Sequence, residues 1–360
     1  MFRVRLHLTN VVGAGASQLL ESLLPAIERD SRVIVERIEL PDRGKLRNYH
    51  SNNPQTVVQI YRRRLPNIVS RALECTFWAR RFDGDSPLLV LGDLPLRCRG
   101  PQTVFVQTTK LVKERQIEIE FNDFKYWFAR FLFRISIGRV KAFIVQTDVM
   151  RDALEQCYPG VVGKVHVIAQ PVPSWLMYSG LKRLARTKEG LLNLIYPAAG
   201  YPHKNHTLLS RLDLINEWPV EQLVITIDPS DNPSPNIAWL KCCGFLSSEA
   251  MIEAYSNVDA LLFLSKEESF GFPLVEAMFV GLPIICPDLL YARALCGDQA
   301  IYFHPDRPES LRQAIDSLYS RLKEGWWPNW SEYLDKFPKD WEDVARRMLE
   351  VACENAVEKS

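Results

Sequence analysis

Apolar and polar positions along this chain follow two alternating periods. Short runs dense in Val, Ile, Leu and Phe, at residues 2 to 8, 33 to 40, 88 to 91, 103 to 107 and 142 to 146, read as strands. Between them the apolar spacing lengthens to that of helices, around 16 to 28, 55 to 82, 120 to 138 and 148 to 157. A last strand, "KVHVIAQPV", leads into "PSWLMYSGLKRLARTKEG", which is polar and irregular as a hinge between domains would be. The pattern restarts at "LLNLIYPAAG", residues 191 to 200. Strands follow at 222 to 227, 260 to 264, 283 to 286 and 300 to 303, with helices near 206 to 217, 247 to 256, 273 to 280 and 308 to 322.

Strands that alternate with helices predict parallel sheets covered on both faces. The expected fold class is therefore α/β, with two Rossmann-like doubly wound parallel-sheet domains facing a cleft. Residues 1–173 form the first domain, 174–190 the linker and 191–338 the second domain. A C-terminal helix, 339–360, packs back toward the first domain. Trp326, Trp327, Trp330 and Trp341 predict that this tail is packed rather than free. Ligands of such sheets bind beyond the carboxyl ends of the strands.

Composition narrows the class. The chain is 47% hydrophobic and 24% charged, as a globular protein is. Its eight cysteines include no C-x-x-C pair, so neither a zinc site nor a disulfide framework is expected, and a reduced cytoplasmic compartment fits. The N-terminus reads as a strand rather than a signal peptide, and no apolar run reaches the length of about eighteen residues that a membrane span needs. The net charge of +1 hides an asymmetry. Residues 1 to 173 hold 26 Lys and Arg against 17 Asp and Glu, a net +9, and the remainder hold 18 against 26, a net −8.

The densest chemistry lies in "KEESFGFPLVEAMFVGLPIIC", residues 266 to 286. A strand turns there into a helix that Pro273 is suited to begin, since its fixed φ matches the first helical position. Backbone N–H groups of Ser269, Phe270 and Gly271 at that helix start attract anions. Glu268 precedes them and Glu276 follows in the expected first turn, so both carboxylates can face one pocket. Amides for phosphate beside acids for hydroxyls suit a nucleotide sugar. In "YPAAGYPHKNHTLL", Lys204 follows the end of the second domain's first strand, where it can neutralise a diphosphate. Gly200 and His203 flank it, and Asn205 is either a helix N-cap or a ligand contact.

This stretch resembles the E-x7-E signature of GT-B glycosyltransferases, in particular the large retaining family 4. "GFLSSEAMIEAYSNVDALLFLS", residues 244 to 265, is similar to the segment that precedes the signature in that family. The resemblance implies that Glu276 holds the donor ribose, Glu268 contacts the transferred sugar and the amides of Ser269 to Gly271 meet the diphosphate. It also implies front-side transfer with retention, the leaving phosphate taking the acceptor's proton. Two departures stand out. The arginine usual before the lysine is Tyr201 here, and the usual histidine of the first domain is Gln107, followed by Thr108.

Other constellations are weaker. "NVVGAGASQLL" places Gly13 and Gly15 after the first strand, but Gln18 breaks the G-x-G-x-x-G pattern and with it the case for a nicotinamide cofactor. The loop either lets backbone approach the acceptor or is a plain turn. Asp83-Gly84-Asp85 has the D-x-D form but precedes a strand, so it reads as a turn, and no metal or other cofactor is expected. In "DFKYWFARFLFRISIGR", Phe124, Phe128, Phe131 and Ile135 share the face expected to meet the core. Tyr126, Phe133 and Ile137 form a second face flanked by Arg130 and Arg134. With Arg62, Arg63, Arg64, Arg71, Arg80 and Arg81 on a second segment, such helices fit docking on an anionic bilayer that presents a polyprenyl-linked acceptor. Burial on both sides with arginines reaching water is the alternative. No nucleic-acid motif accompanies the arginines.

The expectation is a cytoplasmic, peripherally membrane-attached hexosyltransferase of O-antigen, capsule or exopolysaccharide assembly. A sugar-nucleotide epimerase of the same fold and a non-catalytic glycan-pathway protein are the alternatives.

Overall fold

The computed structural model describes residues 1–77, 79–112, 123–213 and 217–357. The chain divides into two compact units, Met1–Pro171 with Pro338–Ser360 and Val172–Phe337. Each contains one parallel sheet.

The first unit runs β1 (Phe2–His7), α1 (Ala14–Arg29), β2 (Val33–Pro41), β3 (Val57–Tyr61), α2 (Asn67–Thr76), β4 (Leu88–Val90), β5 (Gln102–Phe105), α3 (Asp123–Ser136), β6 (Ala142–Val145), α4 (Asp148–Cys157) and β7 (Val165–Val167). Its strand order is β3-β2-β1-β4-β5-β6-β7, with every pair parallel. Central strands such as β4, β5 and β6 are buried at every position, which is why they read as unbroken apolar runs.

The helix expected over 55 to 82 is instead β3, α2 and a short turn at Ala79–Phe82; Trp78 lies outside the described residues. Pro66 stands at the N-cap of α2 and disfavours a helical conformation at Leu65, which cuts the expected helix in two. The segment before it pairs with β2 from Arg37↔Val57 to Pro41↔Tyr61. As an edge strand it leaves Val57 and Ile60 exposed, so its apolar spacing imitated a helix.

Helix α3 corrects a second expectation; residues 120–122 of the segment first assigned to it lie outside the described residues. Leu132 and Phe133 point into the core, whereas Phe124, Phe131 and Ile135 are exposed together with Trp127. Ala129 and Phe128 complete the inward side. Two of the arginines expected at the surface are turned inward as well. Arg63 donates to both oxygens of Glu74, at 2.9 and 3.0 Å, and Arg71 to the carbonyl of Gly92.

The second unit holds α5 (Ser174–Met177), β8 (Leu192–Tyr196), β9 (Val220–Ile225), β10 (Leu240–Cys242), α6 (Ser248–Asn257), β11 (Ala260–Leu262), α7 (Phe272–Val280), β12 (Ile284–Pro287), α8 (Leu290–Cys296), β13 (Ile301–Phe303), α9 (Pro308–Lys323) and α10 (Ser331–Leu334). Its strand order, β10-β9-β8-β11-β12-β13, matches six strands of the first sheet, and again all pairs are parallel. The helix expected over 206 to 217 is a 3-10 stretch, His206–Arg211, with residues 214–216 outside the described set. β10, α8 and α10 are elements that the apolar pattern did not disclose.

The irregular stretch after Pro173 is bound along this unit. The backbone N–H of Arg183 donates to Val280 and that of Lys188 to Leu322. Asp259, 3% exposed, receives the side chains of Arg186 and Lys188, each at 2.8 Å. Trp327 and Trp330 donate their indole N–H groups to Gly281 and Leu282. The chain ends in α11 (Trp341–Val357), which returns to the first unit. There Trp341, Val344, Ala345, Met348, Leu349 and Ala352 are buried, and Arg29–Glu342 and Arg32–Glu350 ion pairs flank them. Among the described residues no helix is long and apolar enough to cross a membrane.

Asp259 also accepts from the backbone N–H of Asn193 at 2.8 Å, so one carboxylate holds strand and linker together. Asp259→Ala strips two cations and an N–H of their partner and is expected to cost about 3 kcal/mol. Urea unfolding should report that loss, and limited proteolysis should show faster cleavage between residues 178 and 190.

Candidate active site

The second sheet changes winding direction between β8 and β11, which lie side by side although 63 residues separate the end of one, Tyr196, from the start of the other, Ala260. At such a switch point the loops leaving neighbouring strands diverge and leave a crevice. The loop after β8 carries Gly200, His203 and Lys204, and the loop after β11 carries Glu268, Ser269, Phe270 and Gly271.

Local contacts hold the first loop. The phenol of Tyr196 donates to the carbonyl of Lys204 at 2.8 Å. Asn205 takes a left-handed conformation, φ 58°, and its amide donates to the carbonyl of Pro305 at 2.9 Å. Asn205 is thus neither a side-chain cap nor a free contact; it turns the chain. The backbone N–H of Lys266 donates to the carbonyl of His203 at 2.8 Å, which ties the two loops together. Tyr201, half exposed, stacks on His203 with ring centroids 5.7 Å apart. Gly200 is exposed, and a Cβ there would stand 3.9 Å from an Asp231 oxygen, an ordinary contact.

Lys204 and Glu268 meet. The ammonium donates to Oε1 of Glu268, with the two side chains 16% and 13% exposed. His206, buried against the Tyr196 ring, stays neutral: burial first, then Lys204 and His203, pull its pKa down to about 4. Sequence reasoning passed over His206 and Tyr196. Their signal was position alone, one within a strand and the other just past the lysine.

α7 begins at Phe272, one residue earlier than expected, with Gly271 as its N-cap at φ 90°. A left-handed φ strains any residue with a Cβ, and a Cβ at Gly271 would also crowd Leu274 at 3.3 Å. Pro273 carries no N–H and the N–H of Leu274 donates to the carbonyl of Gly271 at 2.9 Å, so of the first three helical residues only Phe272 can offer its N–H to the loop. Phe270 turns inward against Phe272 and Phe337, leaving only its backbone toward that side, and Ser269 is half-buried.

The earlier start puts Glu276 in the second turn, not the first, beneath the helix start. It is buried and accepts a 2.8 Å hydrogen bond from Tyr255 of α6. Burial pushes its carboxyl up to about 7, opposed by that bond. Tyr255, itself fully buried, went unassigned in the sequence although the glycosyltransferase-like segment contains it.

The remaining candidates belong to the first unit. Gly13 caps α1 at φ −71°, and a Cβ on Gly13 or Gly15 would meet nothing within 4 Å, so open space rather than backbone strain surrounds them. Gln107 donates its side-chain amide to the carbonyl of Leu91 at 3.0 Å, and the Thr108 hydroxyl accepts from the N–H of Lys110. The backbone N–H groups of Gln107 and Thr108 converge on Asp93, at 2.6 and 3.1 Å. Asp93, at φ 68°, organises the ends of β4 and β5 and was not anticipated. The Asp83–Asp85 segment is irregular and lies between Ala79–Phe82 and β4, and Arg5 donates to the carbonyls of Gly84 and Ser86. Among the described residues no group of three or more His, Cys, Asp or Glu is placed to hold a metal.

The buried Glu276 carboxyl carries a pH signature. Native protein retains a proton that the unfolded chain loses between the ordinary carboxyl range, near 4.5, and about 7. Stability therefore falls as pH rises through that window, by about 3 kcal/mol for this group, and is flat above it. Glu276→Gln should abolish the fall, so urea titrations of the two proteins at pH 5 and pH 8 should shift relative to each other by roughly that amount.

Residues 237–324 match the family model described as Glycosyl transferases group 1. The O-antigen chain mannosyltransferase RfbU of Salmonella typhimurium is 23% identical over 204 residues, 52% of this chain and 54% of that protein. The serotype-specific mannosyltransferase WbdA of Escherichia coli is 29% identical over 99 residues, 28% of this chain and 12% of that protein. The chain thus spans about half the length of one relative and far less of the other. Among solved structures, WaaG, a glycosyltransferase involved in lipopolysaccharide biosynthesis, superposes with a TM-score of 0.65 at 14% identity over 98% of this chain and 99% of its own. The Anabaena protein HepE, in complex with UDP and glucose, does so at 0.60 and 13% identity over 97% and 98%. This chain has the GT-B fold, and the part of its second unit that holds Glu268, Glu276 and Tyr255 matches the Glycosyl transferases group 1 model.

Proposed function

We propose that the protein is a retaining glycosyltransferase that moves a hexosyl residue from a nucleoside diphosphate sugar to a hydroxyl of a glycan or lipid-linked oligosaccharide, in O-antigen or related surface-polysaccharide assembly. The observation that carries this reading is the meeting of Lys204 and Glu268 at the switch point of the second sheet, inside or beside the matched segment. The mannosyltransferase relatives support hexosyl transfer in O-antigen synthesis, and the HepE complex supports a nucleotide-bearing donor.

The chemistry assigns a role to each group. The acceptor oxygen bonds to the anomeric carbon on the face that the diphosphate leaves, and the electron pair of the breaking C–O bond goes to the phosphate. The departing phosphate oxygen takes the acceptor's proton, so no side-chain base is needed where Gln107 stands. Lys204 and the backbone N–H groups at the start of α7 stabilise the growing charge. Glu276 in its ionised form accepts the ribose hydroxyls, and Glu268 the hydroxyls of the transferred sugar. Gly13 and Gly15 leave room for an acceptor in the first unit.

The exposed face of α3 supports membrane attachment. Phe124, Trp127 and Phe131 stack in a ladder, with centroids 5.9 and 6.2 Å apart, and Ile135 continues the exposed stripe. Exposed Lys125 and Arg134 share the helix surface. Apolar rings with adjacent cations fit the interface of an anionic bilayer on the cytoplasmic side, where a polyprenyl-linked acceptor is presented.

A thermal-shift screen over UDP-, GDP-, dTDP- and ADP-sugars should raise the Tm with one base class, and Glu276→Ala should abolish the rise. A shift that survives Glu276→Ala refutes the ribose assignment, and an inverted anomeric centre in the product, read by NMR coupling constants, refutes retention. Vesicles of phosphatidylglycerol should retain the protein in flotation, and Trp127→Ser with Phe131→Ser should weaken that retention about tenfold.

A further inference from the structure

The lysines at this site are already paired. The lysines that the two loops present, Lys204 and Lys266, each carry a carboxylate partner: Glu268 for the first and, at 2.5 Å, Asp306 for the second. His206 is held neutral, and the phenols of Tyr196 and Tyr291 are held neutral by burial and by Glu268. A diphosphate that takes Lys204 must therefore take it from Glu268. The displaced carboxylate is only 13% exposed, so water cannot fully solvate it, and it needs new hydrogen-bond donors.

Building on the transferase reading above, we propose that Glu268 is the residue by which the site separates donor from product. A sugar diphosphate offers what the exchange requires: its phosphates replace Glu268 on Lys204, and its sugar hydroxyls replace Lys204 on Glu268. A bare nucleoside diphosphate offers only the first half. It strands the carboxylate without donors and brings a further negative charge, since the terminal phosphate loses its second proton near a pH of about 6. The same contact that welcomes the sugar thus expels the product after transfer. Specificity here comes from a repulsive element as much as an attractive one.

Calorimetry on the full chain tests this with UDP, GDP, dTDP and ADP and their sugar conjugates. In the wild-type protein the conjugate of the preferred base should bind at least about tenfold more tightly than the bare diphosphate, despite its smaller charge. Glu268→Gln should tighten the bare diphosphate by about tenfold and leave the conjugate no tighter, cutting the preference for the conjugate by about tenfold. Lys204→Met should weaken both and cancel the gain when combined with Glu268→Gln. Wild-type protein that binds the bare diphosphate as tightly as its conjugate overturns the proposal, and this arm needs no variant. Equal tightening of both ligands by Glu268→Gln also overturns it. If the wild-type chain binds none of the eight probes, the transferase reading itself falls.

Discussion

The parallel pairing of β8 with β11 is the constraint on which the candidate site depends. Two strands far apart in the chain are made neighbours, and the helices that follow them must leave in different directions. The loops between strand and helix then have nowhere to pack except above the strand ends. Asn205 and Gly271 make this possible from opposite sides, each turning the chain through a left-handed conformation. Without those two turns the loops that bring Lys204 to Glu268 would leave their strands on other paths.

The buried acidic groups of this protein differ in the partner that burial leaves beside them. Asp259 and Glu74 keep cations beside them and act as structural ties. Glu276 has a phenol instead of a cation, so burial dominates and its carboxyl titrates near neutrality. Glu268 is paired with a lysine at the rim of the strand ends. One side chain type thus serves as a tie, a titrating hydrogen-bond acceptor or an exchangeable partner. The difference lies in the access of water and in the charge of the nearest neighbour.

The loop-to-helix segment around Glu268 was legible because its signals are local: a glycine, a proline, an apolar run and acids at fixed spacing. The faces of α3 were not. Its aromatic residues are so frequent that periodicity allows two apolar faces, and only packing against β6 and α4 decides that Phe133 goes in and Phe131 stays out. Edge strand β3 was hidden for the opposite reason, since a half-exposed strand lacks the unbroken apolar run of its central neighbours. Tyr255, Asp93 and His206 escaped notice because a residue that supports another carries no local mark of it.

What the linear order of residues determined is the alternation of strand and helix, the two sheets and the spacing that puts Glu268, the glycine turn and Glu276 on one element. These follow from backbone geometry and side-chain periodicity, which act over a few residues. The tertiary structure alone decided that Lys204 lies against Glu268, that Glu276 is shut away with Tyr255 and that Arg63 faces Glu74. Charge states and pairings depend on which distant groups share a dry environment, and strand order sets that environment.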